Sequence, residues 1–386
     1  MFGVYIHFPY CRKRCPYCDF AVHARQRIPH ERYADAVLSE LAVRAPLFAG
    51  RRAVSIYFGG GTPGLWEPAC LGRVLDGVKA QFGGEPNVEV TVEANPDDLP
   101  RAQLEALFAV GVNRLSLGVQ SLSPKHLQSL GRLHGPDEAV ASVREARAVG
   151  FHRLSLDLMF ALPGQSMAEL DSDLDGMLAL EPDHLSIYNL TAEERTAFGA
   201  LERKGLLRLP DTGLAADMYE RVMERLSAAG FEHYEISSYA RPGLRAVHNT
   251  LYWTGGEYLG LGCSAHSHRR DGATGERFAT VRSVDAYLKV LPLLGEGPLA
   301  SDKGLAQYER LSAEALEREA VWLGLRLLDG VDRPGHARRH GADPVERHAA
   351  EVARLTDEGL VELAGDRLRL TRRGVLFADE VGARFL

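Results

Sequence analysis

The chain has 386 residues, 45% apolar and 25% charged, close to the globular average and enough for a large core. A formal net charge of −7 argues against general nucleic-acid binding, whose footprint is a basic face. No run of ~18 apolar residues and no basic-then-apolar leader is present, so neither a membrane span nor export is expected, and a cytoplasmic protein is.

In chain order, residues 3–8 read as a strand and 31–48 as a helix, with Tyr33, Val37, Leu38 and Leu41 at helical spacing. Residues 53–58 form a β-rich run ending in Gly59, Gly60 and Gly61, followed by a helix over 67–81 and a strand over 88–93. The alternation continues with helix 104–110, strand 114–118, helix 136–149, strand 153–158, helix 167–180 and strand 184–188. Strands alternating with helices imply an α/β fold on a parallel sheet, here a partial (β/α)6 TIM-like barrel over residues 1–190. Sites in such folds form at the carboxyl ends of the strands. Residues 191–300 mix a helix at 211–229 with glycine-rich, irregular stretches and read as an accessory α+β region. A linker is expected at 296–303. Residues 301–386 then read as helices and a two-stranded wing at 360–362 and 368–370, a winged-helix-like module suited to a structural or docking role.

Three of the five cysteines, Cys11, Cys15 and Cys18, fall in a Cys-x3-Cys-x2-Cys run just past the first strand. Thiolates are soft ligands that suit iron–sulfur clusters and zinc. A zinc site completed by His7 or His23 lacks the usual second ligand pair. Three cysteines on one loop cap three corners of a cubane and leave the fourth iron open, whereas most electron-transfer clusters use four. Cys70 reads as a buried apolar residue on a helix, and Cys263 stands alone.

The run Tyr5-Ile6-His7-Phe8-Pro9-Tyr10-Cys11, with Cys15-Pro16-Tyr17-Cys18, resembles the radical S-adenosylmethionine superfamily. The longer match is to the family of oxygen-independent coproporphyrinogen oxidase. That resemblance implies a 4Fe–4S cluster on the three cysteines, S-adenosyl-L-methionine on the fourth iron, an electron donor for the cluster, and a 5′-deoxyadenosyl radical as the product of cleavage. It assigns Gly60, Gly61 and Thr62 to the methionine amine, Glu93 to an ammonium or ribose hydroxyl, Arg132 to the methionine carboxylate and Asp157 to the ribose. Gln120 ends the fourth strand in the same pocket, and Tyr5 and Phe58 match positions that contact cofactor or cluster.

The chain departs from the oxidase at Phe20, where the oxidase pattern has a further cysteine that does not bind the iron. Cys-x-Phe is instead the pattern of a sister group of heme chaperones. His248-Asn249-Thr250-Leu251-Tyr252-Trp253 fits a His-Asn-x-x-Tyr-Trp pattern associated with heme in that group, with His248 as the implied iron ligand. The implied function is to bind heme and pass it to an acceptor hemoprotein. The alternative is coproporphyrinogen dehydrogenase, which converts propionates to vinyls. His266 and His268 read as surface polar groups.

Overall fold

The computed structural model describes residues 1–290, 299, 302 and 304–386, with no side-chain description for 84–86 and 290. The expected linker at 296–303 lies outside the described residues except for Leu299 and Asp302.

Six strands alternate with helices through the first half: β1 (Phe2–Phe8), β2 (Ala53–Gly60), β3 (Gly84–Ala94), β4 (Arg114–Gln120), β5 (Leu154–Phe160) and β6 (His184–Asn189). They pair in parallel and in sequence order. The intervening helices are α1 (His30–Arg44), α2 (Pro68–Phe82), α3 (Arg101–Ala109), α4 (Pro136–Val149) and α5 (Met167–Ala179). Proline at the first helical turn starts α2 and α4, where its missing N–H costs nothing, and Gly150 ends α4 in the left-handed conformation.

Strand alternation divides the side chains into two sets. On β1, Val4, Ile6 and Phe8 belong to the apolar core that also holds Leu41, Trp66 and Leu75 of the helix side. Gly3, Tyr5 and His7 face the concave interior, where a Cβ on Gly3 would meet Ser55 and His248. The interior is polar in layers: Ser55 with His248, Tyr57 with Glu93, Ser116 with Asp157, and Ser155 with His184.

The second half extends this sheet. Between α6 (Thr212–Ala228) and α7 (Val247–Trp253), strands β7 (Glu232–Glu235) and β8 (Ser238–Ala240) add to the β6 edge. At the other edge β9 (Glu257–Leu261) pairs in parallel with β1, and β10 (His266–Asp271), β11 (Thr274–Thr280) and β12 (Leu305–Leu311) follow antiparallel. Among the described residues the sheet has twelve strands and does not close on itself. Residues 252–256, read from sequence as irregular, begin as the last turn of α7 and lead into β9.

Helix α7 plugs the barrel interior near the strand starts. Glu89 accepts the N–H groups of Val247 at 3.2 Å and His248 at 3.0 Å, placing a carboxylate at the positive end of the helix. Beyond α8 (Ala313–Leu325), the C-terminal residues form helices around a three-stranded sheet of Val331–Asp332, Arg367–Leu370 and Val361–Ala364, in that spatial order. This is a winged-helix arrangement with its own core of Val321, Leu325, Val352, Leu355 and Leu368. No described helix is long and apolar enough to cross a membrane.

Candidate functional site: two joined cavities at the strand ends

The cysteine loop leaves β1 and folds back over the strand ends. Tyr10–Cys11 pairs with His23–Ala24, and the Cys18 N–H donates to the Cys15 carbonyl at 3.2 Å. Cys11, Cys15 and Cys18 are half-buried free thiols, while Cys70 and Cys263 are fully buried elsewhere. Burial pushes the Cys11 thiol up to about 11 and raises that of Cys18. Among the described residues no three His, Cys, Asp or Glu side chains converge as one ion would need.

The glycine loop after β2 is stitched to the cysteine loop. Gly61 and Thr62 donate their N–H groups to the carbonyls of Phe8 and Tyr10 at 2.7 and 2.9 Å, and the Thr62 hydroxyl lies 3.5 Å from Cys11 Sγ. Gly60 has φ 109°, and a Cβ there would lie 2.5 Å from the His7 ring, so any other residue is strained and crowds that ring. Its N–H donates to Glu93 at 3.1 Å, and the Tyr57 hydroxyl donates to the same carboxylate at 2.7 Å.

These loops wall a cavity of about 320 Å³ lined by the three cysteines, Gly60, Gly61, Thr62, Glu93, Gln120, Arg132 and Asp157. Desolvation raises the Glu93 carboxyl above its ordinary range, and desolvation followed by the Glu93 charge pushes Asp157 up to about 7. Arg132 donates to Asn95 Oδ1 at 2.5 Å and to the Gly118 carbonyl at 2.6 Å, and lies 3.8 Å from Cys15 Sγ. Gln120 ends β4 with φ 68°, a left-handed conformation uncommon outside glycine. The cavity thus offers thiols, a cation and two carboxylates within one wall, a set suited to a cluster beside a ligand carrying an ammonium, a carboxylate and hydroxyls.

Asn95 was not singled out from the sequence. It donates to Thr62 Oγ1 at 3.2 Å and accepts from Arg132, so it ties the glycine loop to the arginine. Its place just past β3, beside Glu93, was the available signal.

A second cavity, of about 590 Å³, opens from the first and shares Gly60, Glu93 and Phe20 with it. Tyr5 lines it, and the Tyr5 hydroxyl meets His7 Nδ1 at 3.1 Å. Phe20 is 64% exposed at the junction. Tyr252 and Trp253 of α7, Trp322 and Leu323 of α8, and His266, His268, Arg270 and Arg339 complete much of its wall.

Three expectations are corrected. Phe58 touches neither cavity: because Tyr57 faces inward, Phe58 faces the helices, where it is fully buried beside Trp66. His248, expected as the heme-iron ligand, is 1% exposed inside the barrel. Its Nδ1 is 2.9 Å from Ser55 Oγ, its Nε2 is 2.8 Å from the Tyr252 hydroxyl, and Tyr57 stacks on its ring at 5.0 Å. Both nitrogens are engaged, so this arrangement leaves none for an iron ion. His268, read as a surface group, is instead buried, whereas His266 is exposed as expected and lines the cavity.

A family model for the radical SAM superfamily matches residues 5–176, and one for the HemN C-terminal domain matches 311–377. Proteins named heme chaperone HemW are similar along the whole chain: that of Mycobacterium tuberculosis is 38% identical, covering 98% of this chain and 93% of the relative. That of Bacillus subtilis is 34% identical over 100% and 99%. A mouse protein named radical S-adenosyl methionine domain-containing protein 1, mitochondrial, is 36% identical over 98% and 86%. Among solved structures, coproporphyrinogen III oxidase (HemN) from Escherichia coli shares the fold with a TM-score of 0.83 at 24% identity, covering 100% of this chain and 89% of that one. With its cysteine loop, its strand-end pocket and this end-to-end similarity, the chain belongs to the radical SAM superfamily and, within the coproporphyrinogen-oxidase-like family, to the HemW group.

Proposed function

We propose that this protein binds heme and hands it to an acceptor hemoprotein, carrying a 4Fe–4S cluster on Cys11, Cys15 and Cys18 and S-adenosylmethionine in the smaller cavity. When bound, the cluster supplies an electron able to cleave the sulfonium, delivered by a separate donor protein. The chain's own residues bind and orient. Arg132 pairs with the methionine carboxylate, Gly60 and Thr62 lie against the amine, and Glu93 and Asp157 accept from ammonium and ribose hydroxyls. In this reading residues 1–190 hold the cluster, 191–300 hold the cargo and 301–386 close over it and face the acceptor.

The observation that carries the reading is Phe20. The oxidase pattern has a cysteine there, whereas Phe20 offers no acid–base or redox chemistry and stands exposed between the two cavities. The names of the full-length relatives support the same reading.

The test is anaerobic. Cluster-reconstituted protein is given heme in one arm, and coproporphyrinogen with S-adenosylmethionine and reductant in the other. A stoichiometric Soret band with no vinyl product is expected. Decarboxylation of coproporphyrinogen would overturn the reading.

A further inference from the structure

The larger cavity has a pattern that the cluster pocket does not explain. Strand β10 presents alternate residues on one face, so His266, His268 and Arg270 stand in a row, successive members ~7 Å apart, and all three line the cavity. Nδ1 of His268 is buried without a hydrogen-bond partner, and His268 as a whole is 7% exposed. Trp253, on the wall formed with Trp322, likewise has its Nε1 buried and unpartnered.

The cations in the cavity fall into two kinds. Arg277 is held by Glu319, and Arg282 by Asp19, whose carbonyl accepts at 2.9 Å and whose carboxylate lies 3.9 Å away. Among the described residues neither Arg270 nor Arg339 forms such an ion pair. Each lies in the other's field, and Glu257, the carboxylate acting on Arg270, already binds Arg51 at 3.0 and 3.1 Å through its two oxygens. Arg339 gives one Nη to the Thr254 carbonyl at 2.7 Å. Two guanidinium groups without a carboxylate partner, both on this cavity wall, suit an anionic ligand.

Resting on the heme-handling reading above, we propose that this cavity is the cargo site and takes a flat iron tetrapyrrole. An imidazole from His266 or His268 meets the metal, Trp253 and Trp322 lie against the ring, and Arg270 with Arg339 pairs with its carboxylates. Imidazole is a common axial ligand to heme iron. Guanidinium forks match carboxylates, and indole faces pack on flat apolar surfaces. A volume of about 590 Å³ is ordinary for a cofactor pocket. His248 has no part in the site.

The experiment titrates the full-length, reconstituted protein with ferric heme and, separately, with metal-free protoporphyrin, reading the Soret band and tryptophan fluorescence. R270A–R339A is expected to weaken both ligands about tenfold or more, as loss of charge-assisted bonds does. H266A–H268A is expected to shift the heme Soret band and weaken heme, leaving metal-free protoporphyrin unchanged. R270K–R339K keeps the charge but not the fork and is expected to restore part of the binding lost in the double alanine variant, which separates a carboxylate contact from a folding defect. If wild type binds heme and both double-alanine variants bind it with unchanged affinity and spectrum, this site is wrong and the heme-handling reading stands. If wild type binds no heme, that reading fails, and this inference with it.

Discussion

Glu93 and Asp157 face the same cavity from strands separated only by β4, and the charge of the first adds to desolvation in holding the second up to about 7. An ordinary unfolded aspartate titrates near 4. The folded protein therefore binds the extra proton between those values. The stability contributed by protonated Asp157 is complete below about pH 4 and is lost as pH rises to about 7. Glu40, buried and also pushed up to about 7, adds a similar trend, so the comparison must be with Asp157→Asn. We expect the thermal midpoint of ligand-free protein to fall less between pH 5 and 8 in D157N than in wild type. Identical slopes would remove Asp157 as the titrating group.

The same proton bears on binding. If Asp157 accepts from ribose hydroxyls, its ionised form binds best. S-adenosylmethionine affinity should then strengthen as pH rises through about 7 in wild type and stay flat in D157N. Calorimetric titration across that window checks it.

His248 reads as a structural residue. Replacement by alanine strands the hydroxyls of Ser55 and Tyr252 and leaves a hole under Tyr57. The expected cost is ~2–4 kcal/mol of stability, seen by denaturant unfolding, with heme affinity within about twofold of wild type. A large loss of heme affinity in a variant of undiminished stability would restore His248 as a ligand.

Gly60→Ala places a methyl group where the His7 ring lies and holds alanine at φ 109°. We expect a folded protein destabilised by ~1–3 kcal/mol. S-adenosylmethionine binding should be lost, because the loop can no longer lie flat against Glu93. Retained affinity would argue that the glycine loop is only a turn.

Phe20→Ala removes an exposed side chain, so stability should change by no more than ~0.5 kcal/mol. Cargo affinity should fall, because Phe20 forms the wall shared by the two cavities. Circular dichroism melting and a Soret titration together separate the two effects.

Much of this was legible in the sequence because the signals are local. Helix 136–149 was bounded by Pro136 and Gly150, and the structure has the same bounds. The cysteine spacing and the polar residues at strand ends located the smaller cavity. Strand β9 was missed although Tyr258 and Gly260 alternate with Leu259 and Leu261, because Gly255, Gly256 and Gly262 made the stretch look like a loop. Its partner β1 lies at the other end of the chain, a pairing no local pattern encodes. Phe58 and His248 were misplaced for a related reason: a motif names residue types but not which way a strand or helix turns them. The β10 row was hidden in a segment whose strand character was not recognised, so the buried His268 read as a surface group.

Handover itself is tested most directly by stopped-flow mixing of the heme-loaded, cluster-bearing protein with an apo-hemoprotein acceptor. A transfer rate that rises with acceptor concentration is expected, since direct contact then drives release. A rate independent of acceptor and equal to spontaneous heme loss would contradict a chaperone role.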